Sequence, residues 1–289
     1  MHFPKTVFLI IAISQVLSNT CAAEEINLLK QEYYLQTEDN TLAECAASSH
    51  PPHISEHIHK VIEPHLMPSN HPMKASLDEI FASGRVTKDK STFLDAGFRI
   101  IASGPRSFIY VAKHTLLPKH LVKVYFDNIL EKKWNRESWR WLVKRCQGAK
   151  KIQRIINNYK IKYFTVAKKW MYYLPYDEKL ANNENRQEHL AILCVTDMQL
   201  ASQKQNLRAW KEKITRAHLD ELYIIITKAN GSSYRPDNIA YTKNGNFAFI
   251  DTEYPNCKPD YDSIRAHLNP DMQSYWDALV QNAMIAKIK

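Results

Sequence analysis

The segment Tyr234 to Tyr254, YRPDNIAYTKNGNFAFIDTEY, restricts the possible folds more than any other part of the sequence. Asn-Gly between two apolar runs is the strongest short-range signal for a two-residue primed turn, because both central residues need positive φ. With Asn244-Gly245 at the tip, Lys243 opposes Asn246, Tyr241 opposes Ala248, Ile239 opposes Ile250 and Asn238 opposes Asp251. Directly opposed residues of an antiparallel pair have Cβ atoms about 4.5–5.5 Å apart. An amide and a carboxylate at that separation can share one hard cation, and Mg²⁺ prefers such oxygen ligands while keeping substrate phosphates as others. Asn238 and Asp251 are therefore the expected metal ligands.

Two upstream segments add to this. IASGPRSFIYVAKH, from Ile101 to His114, places Gly104 in a short loop between two strand-like runs, and LVKVYF, from Leu121 to Phe126, sets Lys123 in the next strand. In order and spacing, over about residues 98–280, the three segments resemble the protein-kinase family. Asn238, at the end of RPDN, stands where the catalytic-loop asparagine would, and Asp251-Thr252-Glu253 stands where Asp-Phe-Gly would. The resemblance implies an α+β, bilobal protein-kinase-like fold with an antiparallel β small lobe and an α-rich large lobe. It implies ATP and Mg²⁺ as cofactors, with nucleotide contacts from Gly104, Ser107, Lys123, Glu137, Asn238 and Asp251. Glu137 is the candidate to pair with Lys123, with Glu131 as fallback, and an ordinary surface pair with Lys133 or Arg140 is its other role. Arg235 stands in for the family's catalytic-loop lysine as a phosphate clamp, so that Asp251, Arg235 and Lys123 form the expected catalytic set. FIDTEY is also similar to the I-D-x-E-Y segment of choline-kinase-like and antibiotic-kinase-like phosphotransferases, which implies a small hydroxylated acceptor as an alternative to a protein hydroxyl.

The sequence departs from the family at the catalytic aspartate, whose position falls on Ser233, and a serine hydroxyl is no base at neutral pH. Ala102 and Ser107 replace two of the three loop glycines, which removes backbone freedom near a phosphate. Three readings stay open: an ATP-dependent kinase, an inactive pseudokinase serving as a secreted binding module for a protein or host partner, and a basic exported interaction protein. In the last, Asp251 caps a turn and Asn238 bonds backbone.

Residues 1–23 carry the pattern of a signal peptide, with Lys5, an apolar stretch and Cys21-Ala22-Ala23, so the expected location is periplasmic or secreted. Residues 24–90, rich in His and Pro, read as an N-terminal extension, 91–175 as the small lobe and 176–289 as the large lobe. His53, His57 and His59 lie close enough to share a metal on a helix, but no Cys or carboxylate accompanies them at ligand spacing, which favours a polar linker. The four cysteines beyond residue 23 form no C-x-x-C pair and indicate no disulfide framework. The mature chain has no apolar run of spanning length.

The net charge is +9, and residues 131–170 hold thirteen basic side chains against two acidic ones. This segment is a candidate face for an anionic partner, or a solvated face of the small lobe; no nucleic-acid motif accompanies it. Strands are expected at 98–102, 108–112, 121–126, 164–167 and 170–174. Helices are expected at 76–82 with Ser76 as cap, 134–145, 150–158, 188–195, 206–228 and 274–288, with a stripe of Leu219, Leu222, Tyr223 and Ile226 facing the core.

Overall fold

A computed structural model divides the chain at His50/Pro51 into two units. It describes residues 51–104, 108–128, 137–178, 189–231, 234–253 and 255–288 of the second, with side chains to residue 282. The expectations for the signal peptide, Ser107, Glu131 and Ser233 lie outside the described residues.

The fold is α+β. Helices α1 (Glu56–Ile62), α2 (Pro72–Phe81) and α3 (Lys90–Asp95) precede strands β1 (Arg99–Ser103), β2 (Tyr110–Lys113) and β3 (His120–Val124). Helix α4 (Ser138–Tyr159) leads to β4 (Phe164–Val166), β5 (Lys169–Tyr173) and β6 (Ala191–Thr196). Helices α5 (Gln203–Glu212) and α6 (Arg216–Ala229), the hairpin β7 (Ile239–Tyr241) and β8 (Phe247–Phe249), and helices α7 (Asp262–Arg265) and α8 (Pro270–Ile288) complete it. Strands β1-β2-β3-β6-β5 form one antiparallel sheet in that order; β4-β8-β7 form a second, in which β4 runs parallel to β8.

The expected helix at 188–195 is corrected to strand β6, which lies between β3 and β5. Its two faces are both buried: Ile192 and Cys194 join the core with Met73, Leu77 and Phe93, while Leu193 and Val195 join Ile62, Leu142 and Met171. A strand buried on both sides loses the period-two alternation and reads as a continuous apolar run, which periodicity cannot tell from a buried helix. The first sheet therefore continues past Pro175.

Residues of the expected N-terminal extension are part of this packing. Ile54, Ile62, Met67, Met73, Leu77, Ile80, Phe81 and Val86 are buried. Helix α2 begins at Pro72, not Ser76, with His71 Nδ1 accepting from the Met73 amide. The histidines go to separate partners: His59 Nδ1 lies 3.0 Å from the Tyr173 hydroxyl, and His53 stacks on Tyr176.

The two helices expected at 134–145 and 150–158 are one, α4, running through Gly148. The single helix expected at 206–228 is two, since Thr215 caps α6 in a capping box with His218. Leu219, Leu222 and Ile226 of the expected stripe are fully buried, with Tyr223 packed at the margin. The hairpin register also differs by one residue: Ile239 faces Phe249, Ala240 faces Ala248 and Tyr241 faces Phe247. The Gly245 amide bonds Thr242 O at 3.1 Å, and Thr242 Oγ1 accepts from the Asn246 amide at 3.3 Å. Gly245 has φ +88. These contacts make a three-residue loop closed by a left-handed glycine rather than a two-residue primed turn. No described helix is long and apolar enough to cross a membrane.

Candidate functional site

The register change moves Asn238 opposite Ile250, whose amide bonds the Asn238 carbonyl at 2.9 Å. Asn238 and Asp251 are therefore no longer directly opposed in register, as a two-residue turn would have made them. Asp251 instead meets cations from three other elements.

Strand β3 supplies Lys123, whose ammonium donates to Ile250 O at 3.3 Å, the carbonyl just before Asp251. Helix α4 supplies Arg145, 3% exposed, whose Nε lies 3.1 Å from Asp251 Oδ1. Nη2 of the same guanidinium pairs with Glu253. Strand β5 supplies Lys169, buried at the strand start on the same side as Met171, and its ammonium donates to Thr252 Oγ1 at 2.9 Å. Thr252 passes that bond on to Arg145 O at 2.7 Å. The segment Asp251-Thr252-Glu253 is thus fastened to one turn of α4. Gly148 permits the approach, because a Cβ there would lie 2.0 Å from Thr252 O.

Three basic side chains meet two carboxylates here, and the cluster carries a full extra positive charge only when Lys169 is protonated. The Asp251 carboxyl is held below the usual carboxylate range: burial by itself would raise it, but Lys123, Arg145 and Lys169 outweigh burial. Burial is also the largest influence on Arg145, yet Asp251 and Glu253 reverse it and keep the guanidinium charged. Burial, with Asp251 acting against it, lowers Lys123. Burial and the charge on Lys123 bring Lys169 down to about 7. Arg145 Nε and Nη1 and Asp251 Oδ1 are buried without a hydrogen bond, so the 3.1 Å contact is an ion pair whose N–H is not aimed at the oxygen. The Tyr234 hydroxyl, raised by burial and then by Cys257 and Asp251, is likewise buried without a partner. Burial pushes the neighbouring Cys146 thiol up to about 12, which makes it a poor nucleophile.

The other expected site residues fall elsewhere. Glu137, just before α4, pairs with Arg140 at 3.0 Å on the surface and not with Lys123; the residue that α4 directs to this site is a cation. Arg235 pairs with Asp237 at 2.8 Å, both more than half exposed. Gly104 closes the β1–β2 turn, its amide bonding Ile109 O and its carbonyl accepting from the Phe108 amide, each at 3.0 Å. Among the described residues no three His, Cys, Asp or Glu side chains are grouped to hold a metal. Within the basic segment, Lys150 bonds Pro64 O, Lys151 bonds the Asn256 side chain and Arg140 lies over Trp139, so part of that charge is used within the chain.

Arg145, Lys169 and Glu253 were not marked out as site residues by any motif. Two signals bore on them. An isolated glycine inside an apolar-faced helix marks close packing, and Gly148 lies one turn from Arg145. Strand alternation puts Lys169 on the side of Met171. No family model matches the sequence, and no curated protein is similar to it.

Proposed function

We propose that this protein is a kinase-like nucleotide-binding module that does not transfer phosphate, an exported pseudokinase acting on a partner through its bound or unbound shape. The observation that carries the reading is the meeting of Lys123 and Asp251 beside an arginine from α4. A strand lysine, a following helix and an aspartate after a hairpin are the parts kinases use to hold the nucleotide phosphates. Antiparallel order β1-β2-β3-β6-β5, with α4 after the third strand, supports a small lobe of that kind. The second sheet with α5, α6 and α8 supports an α-rich large lobe.

The same parts argue against catalysis. Kinase activity requires a glutamate on the helix to pair with the strand lysine, and α4 offers Arg145 in this cluster while Glu137 is spent on Arg140. Serine at 233 supplies no base. In this reading Lys123 and its cationic neighbours attract the phosphates. The apolar start of the sequence adds export.

The test is thermal unfolding with and without ATP, joined to a labelled-phosphate transfer assay. ATP raises Tm of the wild type and leaves Lys123→Met unmoved, and no label passes to the protein or to a host extract. An unchanged wild-type Tm would remove the nucleotide from the reading; transferred label would make the protein an active kinase.

A further inference from the structure

We propose that the site binds nucleoside triphosphate free of divalent metal, with the Arg145 guanidinium occupying the place beside Asp251 that a metal ion would take. The inference rests on the nucleotide-binding reading above and specifies the chemical form of its ligand.

Three observations lead to it. Asp251 is already neutralised by a fixed cation: Arg145 Nε stands 3.1 Å from Oδ1. The arginine cannot swing aside cheaply, because Glu253 holds Nη2, Thr252 Oγ1 bonds its carbonyl, and Gly148 packs its helix against the Thr252 carbonyl. Lys123 and Lys169 approach the same three-residue segment, at Ile250 O and Thr252 Oγ1, so a dication at Asp251 would join three positive groups in a poorly solvated place. Like charges disfavour each other most where water is excluded.

These basic groups have the opposite preference for an anion. Lys123, Arg145 and the protonated form of Lys169 attract a polyanion, and a triphosphate without its magnesium carries more negative charge than one with it. Arg145 Nη1 is buried without a hydrogen bond, so the guanidinium's donors are not exhausted by Glu253. A protein cation thus provides the charge balance for which kinases use a metal ion. Arg145 acts here as a specificity-determining residue: it selects the metal-free form of the ligand.

The experiment is isothermal calorimetry of the full chain with ATP in excess EDTA and again in excess MgCl₂, with inorganic tripolyphosphate as a second probe. ATP is expected to bind in EDTA, and magnesium to weaken it tenfold or more. Tripolyphosphate competing with ATP would identify the phosphates as the recognised part. In Arg145→Gln, binding in EDTA falls at least tenfold and magnesium no longer opposes it. ATP that binds only with magnesium would overturn this inference and leave the nucleotide-binding reading standing. No binding in either buffer would overturn both, and metal-free binding unaltered in a folded Arg145→Gln would overturn the role of Arg145. Should that variant fail to fold, the wild-type comparison decides, together with electron paramagnetic resonance of Mn²⁺ added to protein and ATP. Mn²⁺ drawn onto the protein–nucleotide complex rejects the proposal; Mn²⁺ confined to free nucleotide supports it.

Discussion

Arg85 and Arg145 are each 3% exposed, yet their surroundings are of opposite kinds. Arg85 has a complete set of partners. Its Nε and Nη2 donate to the two oxygens of the fully buried Asp127, each at 2.8 Å, and Nη1 donates to Pro175 O at 3.0 Å. Asp127 accepts in addition from Thr87 Oγ1 and the His189 amide, both at 3.2 Å. One cation meets one anion, and every oxygen has a donor. Around Arg145 the charges do not cancel, and guanidinium nitrogens and a carboxylate oxygen lack hydrogen bonds. A satisfied buried pair rigidifies the fold; in the reading proposed above, the incompletely satisfied one receives the ligand. The first network joins the segment before β1 to the loops after β3 and β5; the second gathers β3, α4 and β5 around Asp251.

Breaking the two networks should reveal this difference. Asp127→Ala leaves the Arg85 guanidinium buried without its anion, which costs about 3–5 kcal/mol; urea unfolding should record it as a large loss of stability, with or without ATP. Gly148→Ala tests the second network by shape, since the new methyl overlaps the Thr252 carbonyl. Overpacking of this kind costs about 1–3 kcal/mol, and here it should also abolish the ATP-induced rise in Tm, because Asp251 moves with Thr252. A Gly148→Ala protein that keeps full stability and full ATP response would mean that the close approach is not needed.

Lys169→Met gives the smallest effect at neutral pH and the most informative one. Burial lowers Lys169 from the ordinary lysine value of 10.5 to about 7, so between these values the folded chain releases a proton that the unfolded chain keeps. The stability this contributes is present in full above 10.5 and is lost as pH falls through about 7. Wild type should therefore gain on Lys169→Met as pH rises from 7 to 10, by up to about 1.4 kcal/mol per pH unit. Chemical unfolding of both proteins across that range checks it. Parallel pH profiles would show that Lys169 is not held as a strained cation, and the second network would then resemble the first.

The sequence announced some of this architecture through local signals. Strands at 99–103, 110–113 and 120–124 lie within two residues of their expected positions, since each is a short β-branched or aromatic run between turn residues. The hairpin was announced by Asn244-Gly245, but its register was not, because Thr242 adds a side-chain bond that favours the longer loop. Lys123 and Asp251, both expected at one site, do lie in one cluster. Glu137 and Arg235 were equally plausible on spacing, and each has a nearer partner in Arg140 and Asp237.

Local sequence by itself determined where the chain turns, which runs extend and that an aspartate follows the hairpin, since these depend on backbone preference and on neighbours within a few residues. The tertiary structure alone decided the charge around that aspartate. Arg145 and Glu253 are 108 residues apart, and Lys169 and Thr252 are 83 apart. Whether a buried cation is compensated depends on which distant groups share its low-dielectric surroundings, and no spacing along the chain encodes that.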